Sequence, residues 1–190
     1  MRSMTRLFSL LLAFSLVLCA CSLAEATDTP TESPSPTPAL TAVPDSALAP
    51  FNVTLPEDAH VEMTEGRIAL VQGDSRVVAM VISRVPDEDP AAALPVLMQD
   101  FDPKTDETMD FDALPGFHIL GGVVSDAFGE GEDKLTLMVL ADSGELLIFS
   151  GYSMTQDHHA LYLFLTALLE ATTMNGDAVY AAPSAEPQAT

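Results

Sequence analysis

The chain lacks cysteine beyond residue 21, has no tryptophan and has few basic side chains. Its two cysteines, Cys19 and Cys21, lie near the N-terminus, so the remainder contains no disulfide, thiol nucleophile or cysteine metal site. All 28 acidic residues follow Cys21, whereas the same part of the chain has only five basic residues, Arg67, Arg76, Arg84, Lys104 and Lys134. This imbalance argues against nucleic acid as a partner, because nucleic acid requires a basic surface.

The motifs of common catalytic and nucleotide-binding sites are also missing. The sequence contains no G-x-S-x-G elbow, S-x-x-K, H-E-x-x-H, P-loop or dinucleotide fingerprint. Gly129-Glu130-Gly131 lacks the further glycine of a nucleotide loop, and its acidic neighbours would repel phosphate, so it predicts a hairpin. We therefore predict no catalytic residue, no cofactor and a protein that is not an enzyme.

Residues 1–20 have the three parts of a secretory signal peptide. Arg2 and Arg6 form a basic start, and residues 7–18 form an apolar run that is shorter than the ~20 residues needed to span a bilayer. The following Leu18-Cys19-Ala20-Cys21 resembles the lipobox of bacterial lipoproteins, in which a small residue precedes the lipidated cysteine. We predict lipidation at Cys21 and a lipid-anchored location on the extracytoplasmic face of the cell membrane. Cleavage near Ala24-Glu25-Ala26 is the alternative.

Residues 22–49 are rich in threonine, proline, serine and alanine and lack apolar periodicity. Thr29-Pro30, Ser33-Pro34, Ser35-Pro36 and Thr37-Pro38 follow in close succession. Such a segment cannot bury a core, so residues 21–49 predict a lipidated cysteine and a disordered Pro/Ser/Thr spacer. We place the folded domain at 50–174 and a disordered tail at 175–190, because Asn175-Gly176 is typical of a helix end.

The apolar pattern of residues 50–174 predicts strands, a helix, more strands and a second helix. Val77 to Ile82 is apolar on both faces, as in a central strand covered on two sides. Asp89-Pro90 indicates a helix start, although Pro95 would allow the regular helix to begin there. The last helix is expected from about residue 155 to 172. Hairpin-length links favour an α+β fold, an antiparallel sheet with helices packed on both faces.

Three segments of this region carry a family resemblance. Phe51-Asn52-Val53-Thr54-Leu55-Pro56, Leu114-Pro115-Gly116-Phe117 and the late apolar helix resemble the PsbP/LpqN-type α/β/α domain. That fold serves extrinsic oxygen-evolving proteins of photosystem II, a Ran-binding import factor and many bacterial lipoproteins. The resemblance implies an α/β/α sandwich and a binding role, and it implies no particular ligand because the fold hosts unrelated functions.

Acidic and histidine side chains are the candidate metal ligands. The acidic stretch contains Asp100, Asp102, Asp106, Glu107, Asp110 and Asp112. Calcium prefers about six to eight oxygen ligands, but Lys104 lies where an EF-hand needs its second acid. A solvated loop is therefore the preferred interpretation, and a weak calcium site is the alternative. Adjacent His158 and His159 point about 100° apart on a helix, and with His60 and His118 distant in sequence we predict no metal site.

Taken together, these patterns favour a lipoprotein of the cell envelope whose domain is a non-catalytic binding or accessory module. Its expected partners are membrane lipid, through the anchor, and an envelope protein or small ligand. The alternatives are a calcium-responsive structural protein and an Asp/Glu- or His-dependent hydrolase. The candidate contact surface is either an uncovered part of the sheet or the helix face around Tyr162. Tyr162 lies one position from Leu161 and so falls away from the centre of the apolar stripe of the last helix; otherwise it flanks the core.

Overall fold

The computed structural model describes residues 42–44, 46–64, 67–129 and 131–182. Two helices and two antiparallel sheets form this part of the chain, which confirms the expected α+β class and antiparallel sheet. The predicted signal peptide at 1–20, the lipidation site Cys21 and the tail residues 183–190 lie outside the described residues.

The larger sheet contains seven strands and the smaller sheet three. In chain order the elements are β1 Phe51–Val53, β2 His60–Thr64, β3 Arg67–Gln72, β4 Ser75–Ser83, α1 Pro90–Phe101, β5 Glu107–Phe111, β6 Phe117–Val124, β7 Lys134–Ala141, β8 Glu145–Ser153, α2 His158–Glu170, β9 Thr172–Met174 and β10 Asp177–Ala178. The larger sheet has the order β2-β3-β4-β8-β7-β6-β5 and the smaller the order β1-β9-β10. The edge strands of the larger sheet are therefore β2 and β5.

The two helices lie on opposite faces of the larger sheet. Leu161, Phe164 and Leu168 of α2 pack on odd-numbered side chains of β4, β7 and β8. Leu94 and Met98 of α1 pack on even-numbered side chains of β6, β7 and β8. Successive side chains of a strand point to opposite faces, so each helix covers its own side. Each fully buried side chain contributes about 1.5–3 kcal/mol to folding relative to exposure.

Strand β4 is interior, as predicted, but it is not covered on both faces. Val77 and Ala79 are buried under α2, whereas Val78 and Met80 are only half-buried and Ile82 is 41% exposed. The cause is the position of α1, which packs on β6 and β7 and leaves the other side of β4 partly open. The strands buried on both faces are β7 and β8.

Both helices begin where capping aspartates direct the chain into the first turn. Asp89 Oδ1 accepts a hydrogen bond from the Ala92 N–H at 3.1 Å, and α1 starts at Pro90. A start at Pro95 is therefore wrong; Pro95 lies inside the helix and supplies no N–H to the Ala91 carbonyl. Asp157 Oδ1 caps α2 in the same way, accepting from the Ala160 N–H at 2.9 Å.

The end of α2 and the residues after it differ from the prediction. The helix ends at Glu170, and Thr172–Met174 forms β9, which pairs with both β1 and β10. Asn175 and Gly176 have φ of 53° and 95° and form the hairpin turn between β9 and β10, a sequence as typical of turns as of helix ends. Val179 and Tyr180 are buried in the core. The expected disorder of 175–190 is therefore wrong for residues 175–180.

The folded region also begins before residue 50. Leu48 is fully buried in the core beneath α2, and Val43 packs against that core. The Phe51 N–H donates to the Leu48 carbonyl at 2.8 Å. The last residues of the predicted 21–49 spacer therefore belong to the domain. Their few apolar side chains are buried against the core, although the surrounding sequence is polar.

Candidate functional site

Strand β5 is the least covered strand of the larger sheet. Its residues Glu107 to Asp110 are exposed and Phe111 is half-buried. Helix α1 packs chiefly on β6 and β7, and α2 chiefly on β4, β7 and β8. One edge of β5 pairs with β6, and no described strand pairs with the other. The strand is thus accessible from Glu107 to Asp110, whereas Tyr180 packs on Phe111 and bridges Ala113 just beyond its end.

On the α1 side of the sheet, β5 borders an open cleft that we call the β5 cleft. Its volume is about 320 Å³, at the lower end of the range for pockets that bind small molecules or side chains. The lining residues are Ala91, Leu94, Pro95, Asp110, Phe111, Asp112, Ala113, Phe117, His118, Ile119 and Leu120. The cleft therefore combines an apolar wall from α1 with acidic groups from β5 and the residue after it.

Asp110 and Asp112 have no positively charged partner in the described part of the chain. No hydrogen bond to either side chain occurs there, and the ion pairs of that region involve other acids. His118, across the cleft, has Nε2 at 3.0 Å from Asp142 Oδ1. This arrangement suits a positively charged group.

On the α2 side, β5 borders a narrow apolar slot that we call the Tyr162 slot. It holds only about 20 Å³ and is lined by Met109, Phe111, Gly121, Gly122, Leu135, Thr136, Leu137, Tyr162, Leu165 and Thr166. A Cβ on Gly121 would lie 2.9 Å from Phe111 Cε2 and 3.4 Å from Met109 Cε. Glycine at this position therefore allows both side chains to lie across β6.

Tyr162, the predicted contact residue, stands at the rim of this slot. Its side chain is 41% exposed, and Met109 on the opposite rim is 37% exposed. Tyr180 packs edge-on against Phe111, with ring centroids 6.1 Å apart. Burial raises the pKa of Tyr180, and the negative charges of Glu170 and Asp112 raise it further. The slot itself has a largely apolar lining.

The acidic stretch is not the continuous loop that we predicted. Asp100 lies in α1, Asp102 follows its last residue, and Glu107 to Phe111 form β5. Asp106 Oδ2 accepts from the Ser125 N–H at 2.8 Å. Alternate residues of β5 point to opposite faces, so Glu107 and Asp110 do not converge. Within the described ranges no cluster of three or more acidic, histidine or cysteine side chains could hold a metal ion.

Asp102 is held by a specific ion pair. Its Oδ2 accepts from Lys134 Nζ at 2.6 Å, and its Oδ1 accepts from the Lys104 N–H at 3.2 Å. Burial alone would raise the pKa of Asp102 and is the largest single influence. The hydrogen bonds from Lys134 and Lys104, together with the charges of both lysines, nevertheless bring the pKa below its ordinary value of 3.8. Asp102 is therefore a structural carboxylate.

The four histidines lie apart. His60 pairs with Glu62 at 3.5 Å on edge strand β2, and Glu62 also binds Arg76 of β4 at 2.8 Å. His158 Nδ1 lies 3.6 Å from Asp133 Oδ2, too far for a hydrogen bond. Only His118 lines the β5 cleft, and no serine, threonine or cysteine lines the cleft with it as a nucleophile.

Sequence reasoning did not identify the group formed by Asp110, Asp112 and His118. The available signal was the alternation in β5, where Thr108 and Asp110 interleave with Met109 and Phe111 and indicate a half-buried strand. That pattern is short, and the many acidic residues around it favoured the interpretation of this stretch as a solvated loop. Cys21, the predicted lipidation site, lies outside the described residues.

Comparison with known proteins gives this chain no family. No protein-family model matches it, and no curated protein matches it either. Neither described helix is long and apolar enough to cross a membrane.

Proposed function

We propose that this protein is a lipid-anchored lipoprotein on the extracytoplasmic face of the cell membrane, and that its domain is a non-catalytic binding module of the PsbP-like α/β/α type. The lipobox ending at Cys21 and the Pro/Ser/Thr-rich segment after it support the anchor and spacer. The two helices on opposite faces of the antiparallel sheet are compatible with the fold.

The observation that carries the binding role is the exposure of β5. Strand β5 is open at its edge, with an acidic cleft on one face and an apolar slot on the other. A partner could therefore form hydrogen bonds with its backbone, charged contacts and apolar contacts at the same place. Exposed aromatic and methionine side chains such as Tyr162 and Met109 are typical of protein contact surfaces. The partner is an envelope protein or a small ligand that reaches this surface.

One observation favours a hydrolase as the second candidate. His118 is oriented by Asp142 at 3.0 Å and shares its cleft with Asp110 and Asp112, and a histidine oriented by a carboxylate is a common general base. The absence of a lining nucleophile would leave water as the attacking group. A hydrolytic activity that is lost in His118→Ala, with the fold retained, would replace the binding proposal.

The binding role is tested by affinity capture from native membranes with the lipid intact. The bait variants are Asp110→Lys, at the β5 cleft, and Glu57→Lys, an exposed acid outside both lining sets. Both variants change the charge equally, so general electrostatic effects cancel. We expect a partner that is retained by the wild type and Glu57→Lys and lost from Asp110→Lys. Retention of every captured molecule by Asp110→Lys would contradict a site at β5.

A further inference from the structure

The two edge strands of the larger sheet differ in how their acidic side chains are neutralised. At the β2 edge, Glu62 binds Arg76 at 2.8 Å and His60 at 3.5 Å. At the β5 edge, Glu107 and Asp110 have no cationic partner among the described residues. Asp110 and Asp112 both line the β5 cleft, so a cationic partner there would meet two carboxylates that have no counter-charge among the described residues.

The alternation of β5 separates two kinds of contact. Asp110 is registered with Leu120 and faces the α1 side, where the β5 cleft lies, whereas Met109 and Phe111 are registered with Gly121 and Ile119 and face the α2 side, where the Tyr162 slot lies. A strand added to the free edge would place its own alternate side chains over the same two faces. One face would meet carboxylates and the other would meet apolar side chains.

We infer that β5 binds an extended peptide segment of a partner protein by strand addition, and that this segment alternates basic and apolar residues. The inference rests on the proposed binding function and names its partner class. Main-chain hydrogen bonds to the free edge supply affinity that is independent of sequence, and the alternate side chains supply specificity. The basic residues lie over Asp110 and Asp112, and the apolar residues lie against Met109 and Tyr162.

The negative charge of β5 argues against a second copy of this chain as the bound partner. Charged side chains on an edge strand oppose pairing between identical edges, and two β5 strands would bring Glu107 and Asp110 of one copy beside those of the other. The chain as a whole carries a formal net charge of −21, so long-range attraction also favours a basic partner.

The test uses defined peptides and the full lipidated chain in neutral detergent. The probe is a seven-residue peptide that alternates lysine and valine, with blocked ends and a fluorophore. Four comparison peptides are used: one has the same lysines and valines in two blocks, one has glutamate in place of lysine, and two have N-methyl groups on alternate backbone amides. The N-methyl peptide is made twice, once for each set of amides, because only one set faces β5 in an added strand.

We expect the alternating lysine–valine peptide to bind and the block and glutamate peptides to bind at least about fivefold more weakly, as the loss of several cross-strand charge pairs implies. One N-methyl peptide should bind and the other should not. Asp110→Lys should weaken binding about fivefold or more, whereas Glu57→Lys should not. Circular dichroism checks that both variants are folded.

Four outcomes overturn the inference. Equal binding of the alternating and block peptides would mean that only net charge is recognised, and equal effects of the two N-methyl peptides would exclude strand addition. Dimerisation of the wild type through β5, with no peptide binding, would assign the edge to a second copy. If peptide binding fails while membrane capture still depends on Asp110, the binding function stands and the peptide class is wrong.

Discussion

At the scale of single residues, substitution of Tyr162 tests whether its side chain contacts a partner or belongs to the core. Its side chain is partly exposed at the rim of the slot, while its neighbour Leu161 is fully buried. We expect Tyr162→Ala to change the free energy of unfolding by no more than about 0.5 kcal/mol, because surface changes have small effects, and to weaken partner capture. Urea denaturation measures the first effect. Leu161→Ala, expected to cost about 2–5 kcal/mol, is the matched core variant.

If Tyr162→Ala destabilises the domain as strongly as Leu161→Ala, Tyr162 belongs to the core and its contact role is lost. The hydroxyl of Thr166 donates to the Tyr162 carbonyl at 3.0 Å, a backbone contact that the alanine variant retains. A change in stability would therefore report on the ring itself.

Asp102 makes stability depend on pH in a predictable direction. Its folded-state pKa is lowered, so the unfolded chain binds a proton more readily than the folded chain. The stabilisation is therefore complete above the ordinary value of 3.8 and is lost as the pH falls through the lower, folded-state value. We expect Asp102→Asn to reduce the free energy of unfolding by about 1–3 kcal/mol at neutral pH, as loss of a charged hydrogen bond does.

Urea denaturation between pH 7 and pH 3 tests this dependence. The stability difference between the wild type and Asp102→Asn should shrink below about pH 4, where the carboxylate begins to be protonated. Asp100→Asn removes a nearby exposed acid without an ion pair to Lys134 and should show no such dependence. A difference that remains constant with pH would mean that the Asp102 carboxylate contributes no specific stabilisation.

At the scale of secondary-structure elements, the ends of the domain are set by β1, β9 and β10. A fragment of residues 50–174 omits Leu48, Val179 and Tyr180, all buried in the core. We expect this fragment to be less stable than residues 42–182, because each omitted apolar side chain contributes about 1.5–3 kcal/mol when buried. Thermal unfolding of the two fragments compares them, and equal melting temperatures would contradict the boundaries given by the structure.

Some elements could be predicted from their sequence and others could not. β6, β7 and β8 are long apolar strands joined by turn sequences, and Asp89 and Asp157 are strong caps, so local chemistry determines them. The sequence analysis predicts no strand at Thr172–Met174, where β9 lies, because the pairing of β9 with β1 is a contact between residues that are distant in the sequence. Tertiary contacts override weak local propensity in such short strands.

The candidate site was predictable only in part, for the same reason. Tyr162 could be placed at the edge of an apolar helix stripe from its position relative to Leu161. Asp110 and His118, by contrast, line one cleft because β5 and β6 pair as neighbours. No local pattern specifies that pairing.

At the scale of the whole molecule, addition of calcium tests the alternative that this is a calcium-responsive structural protein. The acids between Asp100 and Asp112 divide among α1, a connecting segment and β5, so they do not provide the six to eight converging oxygens that calcium prefers. We expect millimolar calcium to leave the melting temperature of the full chain nearly unchanged. A stabilisation above about 2.7 kcal/mol, the effect of a hundredfold excess over Kd, would favour the calcium-responsive alternative.

Membrane anchoring is tested at Cys21. We expect Cys21→Ala to leave an unprocessed precursor or to release the protein, because the acyl chains supply the membrane affinity, at ~0.8 kcal/mol for each buried CH₂. Partitioning into a detergent phase measures this loss, and mass spectrometry identifies the N-terminus of the wild type. Cys19→Ala is the control and should remain anchored. An unmodified N-terminus at Thr27, or at any residue other than Cys21, would contradict the lipoprotein proposal.

The small sheet would allow the domain to be circularly permuted. β1, near the first described residues, is paired directly with β9, near the last, with Phe51 opposite Met174. The two ends of the folded chain are therefore neighbours, so a short linker could join them and new ends could be opened between the exposed residues Asp142 and Ser143. Such a circular permutant would keep every strand pairing of both sheets and would place its new ends between β7 and β8.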